Sequence, residues 1–320
     1  MLHKRAVVLS FLLSILACLF FGSSCLRSNS ASDIVNVSNH NQVFNFKSVD
    51  DLYSFLTYSE ARVPLVSAHR GGPAADYPEN AMETFQRIAY KTAAIIECDI
   101  ALTKDSGLVL MHDETLQRTS TGHGRVNKFT VDELKEFSLK DTEGKVTKYK
   151  IPTLEEALSW GIGKVIFTLD VKRNVPYRLV IDAIRKTKSE AHVIIITYNA
   201  EQAAMVHNLA PDLMISASIR SADDLLRLND RDVPDTRIVA FVGSSQVDKS
   251  VSNMLHQHGI FCILGTMGNL DRQARKSGNQ LYAEYIENGA DILSTDRPLQ
   301  AIKALDYYIK KRKLTSAFIN

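Results

Sequence analysis

The sequence predicts an α/β fold, a (β/α)8 TIM barrel with a small insertion after strand two. Three observations predict it. Eight short apolar runs rich in β-branched residues recur along the chain. Helical spacing fills most of the gaps between them, the rhythm of parallel βαβ units. The 320 residues, less an export segment, suit one large barrel. An open doubly wound sheet has the same alternation; the eighth run is what favours closure.

The elements follow in chain order. Residues 1–25 read as an export signal: His3, Lys4 and Arg5 precede an apolar run over 6–21, and Gly22, Ser23 and Ser24 precede Cys25. A small-residue stretch ending in Cys is similar to a bacterial lipobox, with Gly22 standing where Leu is preferred. Acylation of Cys25 is therefore expected, giving an exported lipoprotein held to the membrane by an N-terminal lipid anchor on the periplasmic or cell-surface face. Cys18, after Ile15-Leu16-Ala17, is a second candidate, and simple cleavage of the signal is the alternative. Residues 26–43, rich in Ser and Asn, read as a flexible tether. The folded domain is expected over 44–320.

Within it the strands are expected over 63–68, 95–102, 164–170, 192–197, 213–217, 237–242, 260–264 and 291–295. Apolar residues three and four apart place helices over 81–93 and 176–187. The rhythm breaks between 103 and 157. There Leu108-Val109-Leu110-Met111 is a short apolar piece, and the polar stretch after it sets an insertion at about 113–150. Thr130 and Glu133 form a capping box that starts a helix over 130–137. Asn80 and Glu83 have the same signature, so Asn80 is read as a helix cap. Cys98 and Cys262 lie in separate strand runs and read as small buried hydrophobes rather than a disulfide. A net charge of +2 gives no electrostatic case for nucleic acid. Basic residues therefore count only where they meet a site.

The strand ends carry such a site. Polar side chains there are costly unless they serve one. Glu97 and Asp99 sit two apart in the second strand, so both face the barrel interior while Cys98 faces the helices. Two carboxylates side by side in an interior need a cation. Asp170, on the next strand, completes an all-oxygen set that suits Ca2+ or Mg2+ rather than Zn2+. His69 and His112 follow apolar runs and suit acid–base work near neutral pH. Arg70 and Lys172 supply donors for a phosphate. Gly71 and Gly72 permit a tight turn beside it. Glu79 either orients that turn or is surface polarity.

Six ordered blocks then carry a resemblance: His69-Arg70-Gly71-Gly72, Pro78-Glu79-Asn80, Glu97-x-Asp99, His112-Asp113-x-x-Leu116-x-Arg118-Thr119, Pro152-Thr153-Leu154-Glu155-Glu156 and Thr295-Asp296-Arg297-Pro298. From about residue 65 to about 300 the chain resembles the glycerophosphodiester phosphodiesterase family. The resemblance implies a TIM barrel with its insertion after strand two, a small-molecule glycerophosphodiester substrate and a divalent cation. It implies a catalytic pair at His69 and His112, metal ligands at Glu97, Asp99 and Asp170, and phosphate contacts at Arg70 and Lys172. It also implies attack by the neighbouring glycerol hydroxyl through a cyclic phosphate, which water then opens. Two positions depart from the family. Asp170 stands where the family usually has Glu. The stretch Leu264-Gly265-Thr266 replaces a substrate-packing Trp near the end of strand seven, and the sole Trp, Trp160, falls in a helix. The altered pocket leaves open a phospholipase D-like or phosphoinositide-cleaving activity. Decay of the site to a non-catalytic binding lipoprotein is the third reading.

Overall fold

The computed structural model describes residues 43–320. The export signal, Cys25 and the tether up to residue 42 lie outside the described residues. No helix among those described is long and apolar enough to cross a membrane.

In chain order the strands are β1 (Leu65–Ala68), β2 (Ile95–Leu102), β3 (Leu108–Leu110), β4 (Ser138–Lys140), β5 (Val146–Lys150), β6 (Ile166–Val171), β7 (Val193–Thr197), β8 (Met214–Ser218), β9 (Ile238–Gly243), β10 (Cys262–Gly265) and β11 (Ile292–Thr295). Parallel pairing runs β1-β2-β6-β7-β8-β9-β10-β11, and β11 returns to β1 with Leu65 opposite Ile292 and Ala68 opposite Thr295. The barrel is closed, with eight parallel strands, each of the expected runs supplying one. The helices are α1 (Val49–Phe55), α2 (Met82–Ala89), α3 (Val131–Glu136), α4 (Leu154–Gly161), α5 (Tyr177–Thr187), α6 (Ala200–Leu209), α7 (Ala222–Asn229), α8 (Lys249–Gln257), α9 (Asn269–Ser277), α10 (Leu281–Glu287) and α11 (Pro298–Arg312).

Period two along the strands sorts the side chains. Ile96, Cys98, Phe167, Leu169, Ile195 and Ala217 point outward into one core with the helices. Leu65, Ile95, Ile166, Ile194, Met214, Val239 and Ile292 form an apolar layer at the bottom of the barrel, closed from below by Phe44, Leu52, Phe55 and Leu56. Two residues further along the same faces come Ser67, Glu97, Thr168, Ser216 and Ser294. The interior therefore changes from apolar to polar from bottom to top. Cys98 and Cys262 are buried free thiols.

Between β2 and α4 the chain makes a side excursion. β3 folds back antiparallel on β2, and β4 and β5 form a separate antiparallel pair. α3 starts at the Thr130–Glu133 capping box. This excursion has its own small core of Val109, Met111, Leu116, Val126, Leu134, Leu139 and Ile151.

Candidate active site

The site lies at the C-terminal ends of the barrel strands, in a cavity of about 420 Å³ lined by His69, Glu97, Asp99, His112, Asp170 and Lys172 among others. Every ligand, base and phosphate contact expected from the sequence is on or beside this cavity.

The turn after β1 sets the first part. Arg70, Gly71 and Gly72 all have positive φ, of 53°, 82° and 74°. A Cβ on Gly71 would stand 2.5 Å from Phe85 Cδ1, and one on Gly72 2.3 Å from Pro298 Cγ. Glycine is therefore required by both backbone angle and space. The turn aims the Arg70 amide at Glu97, where it donates to Oε2 at 2.7 Å.

The carboxylates come from β2 and β6. Asp99 and Asp170 are direct partners in the β2–β6 register, and Glu97 precedes Asp99 by two on the same face. Oxygen atoms of Glu97, Asp99 and Asp170 lie within 4.8 Å of one another. Burial, and next the charge of Asp99, push Glu97 up to about 8. The Lys172 ammonium donates to Asp99 Oδ1 at 2.6 Å and Asp170 Oδ2 at 2.7 Å. Burial would raise Asp170, but Lys172 beside it and the Tyr198 hydroxyl, which donates to Oδ1 at 2.7 Å, hold it below its ordinary value. Burial would lower Lys172, and the charges of Asp99 and Asp170 raise it instead. A buried triad of oxygen donors, one of them driven toward its neutral form, fits a hard divalent cation.

Both histidines are held by a carboxylate at Nδ1. His69 Nδ1 is 2.7 Å from Asp296 Oδ1, and His112 Nδ1 is 2.7 Å from Asp113 Oδ1. Each ring is left with Nε2 free. Burial disfavours the charged form of His69, yet the bond to Asp296 and the charge of Glu97 outweigh it and raise the imidazole above its ordinary value. Arg118 grips Asp113 through Nε and Nη2 at 2.6 and 2.9 Å, holding that carboxyl far below the usual range. The same guanidinium donates twice to Glu79 at 2.8 Å, and Glu79 accepts from Arg70 Nη1 at 3.2 Å. Charges thus alternate from Asp113 through Arg118 and Glu79 to Arg70, whose Nε is 3.6 Å from Asp99. That Nε is buried without a hydrogen-bond partner. Glu79 is thus bonded to the side chain of Arg70 in the turn after β1.

One expectation is corrected. Asn80 is not a helix cap: α2 is capped at Ala81, with no side-chain bond. Asn80 sits at φ 56° and clamps Asp99, donating to Oδ2 at 2.8 Å and accepting from the Asp99 amide at 3.0 Å. Its position inside the Pro78-Glu79-Asn80 block was the signal that could have found it. Tyr198 was also missed, being an isolated aromatic after β7 that no spacing marks out. A second grouping, His256, Cys262 and Asp291, lies at the opposite end of the barrel. There Arg62 and His256 already answer the charge of Asp291.

A closed parallel barrel whose mouth holds an oxygen triad and two histidine–carboxylate pairs places the chain among the TIM-barrel proteins. The chain belongs to the glycerophosphoryl diester phosphodiesterase family, whose model matches residues 69–299. It is 35% identical over 158 residues to a glycerophosphodiester phosphodiesterase of Caldanaerobacter subterraneus subsp. tengcongensis, covering 47% of this chain and 65% of that one. It is 32% identical over 155 residues to the uncharacterized protein YqiK of Bacillus subtilis, covering 46% of this chain and 63% of that one. In both cases the match spans just under two thirds of the relative. A crystal structure of a glycerophosphoryl diester phosphodiesterase from Parabacteroides distasonis superposes with a TM-score of 0.79 at 38% identity, covering 83% of this chain and 94% of that chain.

Proposed function

We propose that the chain hydrolyses glycerophosphodiesters to glycerol 3-phosphate and an alcohol. Glu97, Asp99 and Asp170 would hold a divalent cation, Ca2+ or Mg2+, and His69 and His112 act as the acid–base pair. The observation that carries this reading is the pairing of each histidine with a carboxylate at Nδ1, with both rings on the cavity that the acidic triad lines. When bound, the cation supplies Lewis-acid polarisation of the phosphate and offsets its charge. Arg70 and Lys172 add donors for the phosphate oxygens. The carboxylate at each Nδ1 fixes the ring and its tautomer, so Nε2 is the working nitrogen. One histidine takes the proton of the attacking glycerol hydroxyl while the other gives a proton to the leaving alcohol oxygen; with the roles reversed, water then opens the cyclic phosphate to glycerol 3-phosphate.

Release of glycerol 3-phosphate from a diester panel, with and without Ca2+ or Mg2+, tests the reading. His69→Ala and His112→Ala should each lower turnover by about 100-fold or more with the fold intact by circular dichroism. Full turnover in either variant removes that histidine from the chemistry. No hydrolysis with any ion leaves a binding protein.

We also propose export and acylation at Cys25, supported by the basic start, apolar run and small residues before it. Cys25→Ser should free the full chain from the membrane fraction. An unchanged mass and distribution would reject lipidation there.

A further inference from the structure

The cavity has two chemically different walls. Its acidic side comes from β1, β2 and β6. Four strands around the barrel from β1, the wall comes from β8 and β9 and contributes Ser216, Ser218, Arg220 and Phe241, with Met267 beyond. This wall contains no carboxylate among its lining residues. Among the described residues, the hydroxyls of Ser216 and Ser218 and the guanidinium of Arg220 have no side-chain hydrogen bond or ion pair. The carboxylate beside it, Asp224, is engaged by Arg227, by the Ser221 hydroxyl and by the Arg220 amide, not by its guanidinium. Arg220 lies over the end of β9, its Nε 3.7 Å from where a Cβ on Gly243 would stand, an ordinary van der Waals distance. The Tyr198 ring, tied to Asp170 by its hydroxyl, stands between the two walls.

We infer that the β8–β9 wall is a head-group subsite, and that the preferred leaving alcohol carries a second anion, a carboxylate or a phosphate, received by Arg220 with Ser216 and Ser218. This rests on the proposed diester hydrolysis. With the phosphate on the acidic side beside its cation, one ester arm must reach across the cavity. The glycerol arm is uncharged and gains little from a guanidinium; an anionic alcohol gains a charge-assisted, two-pronged partner in Arg220, which is exposed at the rim of the cavity. A cationic alcohol such as choline meets like charge there.

Two minimal pairs isolate the anion. Glycerophosphoserine differs from glycerophosphoethanolamine by one carboxylate, and glycerophosphoinositol 4-phosphate from glycerophosphoinositol by one phosphate. In the wild type, kcat/KM should favour the anionic member of at least one pair by about 10-fold or more. Arg220→Gln should bring that ratio to near one, and Arg220→Lys should restore part of it. The pair that responds identifies the anion. Calorimetric binding of the same diesters to His112→Ala, with and without Arg220→Gln, reads the subsite without turnover. If the wild type cleaves no diester but His112→Ala prefers the anionic member through Arg220, the hydrolysis reading fails and the subsite stands. Equal binding of both members in each pair, or a preference that survives Arg220→Gln, overturns the subsite.

Discussion

Asp170 is one carbon–carbon bond shorter than the glutamate that the family usually has in its place, about 1.5 Å. Its oxygens are nonetheless fixed, one by Tyr198 and one by Lys172. As the third corner of the triad it should matter more to the ion than to the fold. Asp170→Asn is expected to weaken Ca2+ or Mg2+ affinity by about 10-fold or more, and Asp170→Glu to retain binding, both read by calorimetry. Equal affinity in wild type and Asp170→Asn would require another third ligand. The proposed ligands and bases could be found in the sequence because each is a polar residue inside or at the end of an apolar run, where it costs free energy without a purpose. Their supports were less legible. Asn80 sits before a helix with Glu83 three residues on, and the same two letters serve a cap or a clamp. Only the left-handed backbone at Asn80, which no spacing encodes, turns its amide away from α2 and onto Asp99. Tyr198 depends on a neighbour 28 residues earlier, and nothing local marks that distance.

At the scale of the element, the turn from His69 to Gly72 joins β1 to the catalytic cavity and also packs against α11 through Pro298. Gly72→Ala is expected to destabilise the protein by about 1–3 kcal/mol, from a left-handed backbone and a blocked Cβ, and to lower turnover with it. A urea midpoint equal to that of wild type would show that the turn can shift without cost. The eight barrel strands were legible because both faces are largely buried, which writes each as a mostly apolar run. β4 and β5 were not. β4 is three residues long, and β5 reads Val-Thr-Lys-Tyr-Lys with alternate side chains exposed, so neither rises above the polar stretch around it. Leu108–Leu110 was visible as an apolar piece, but its antiparallel return onto β2 needs the turn at Thr103–Gly107, where the Thr103 hydroxyl accepts from the Gly107 amide. Capping boxes divide in the same way. Those at Thr130 and Thr153 are real, and each has both reciprocal bonds.

Across the whole molecule, the two ends of the barrel answer pH differently, and the bottom offers the clearer test. His192 is buried there against Phe46, and its Nε2 accepts from the Gly163 amide at 2.9 Å. Burial pushes it down to about 4. A histidine whose folded value lies below its unfolded one stabilises the neutral state. Its contribution is complete above about 6.5 and is lost as pH falls toward 4, by at most about 3 kcal/mol. Urea midpoints from pH 7 to pH 4 should therefore fall less steeply for His192→Gln than for wild type; parallel curves would mean that His192 takes up its proton equally in the folded and unfolded states. The top of the barrel is joined by a pairing of another kind. His69 and Asp296 touch across 227 residues of sequence, each directly following one of the two strands that close the barrel. A ribosome has made all the proposed ion ligands, both histidines and Lys172 little more than halfway through the chain. It supplies β11 and Asp296 only at the end. A chain arrested before that point carries nearly every reactive group, yet its first histidine has no partner and its sheet no closing edge. The partner of His69 and the strand that closes the barrel therefore arrive together, with residues 292–296.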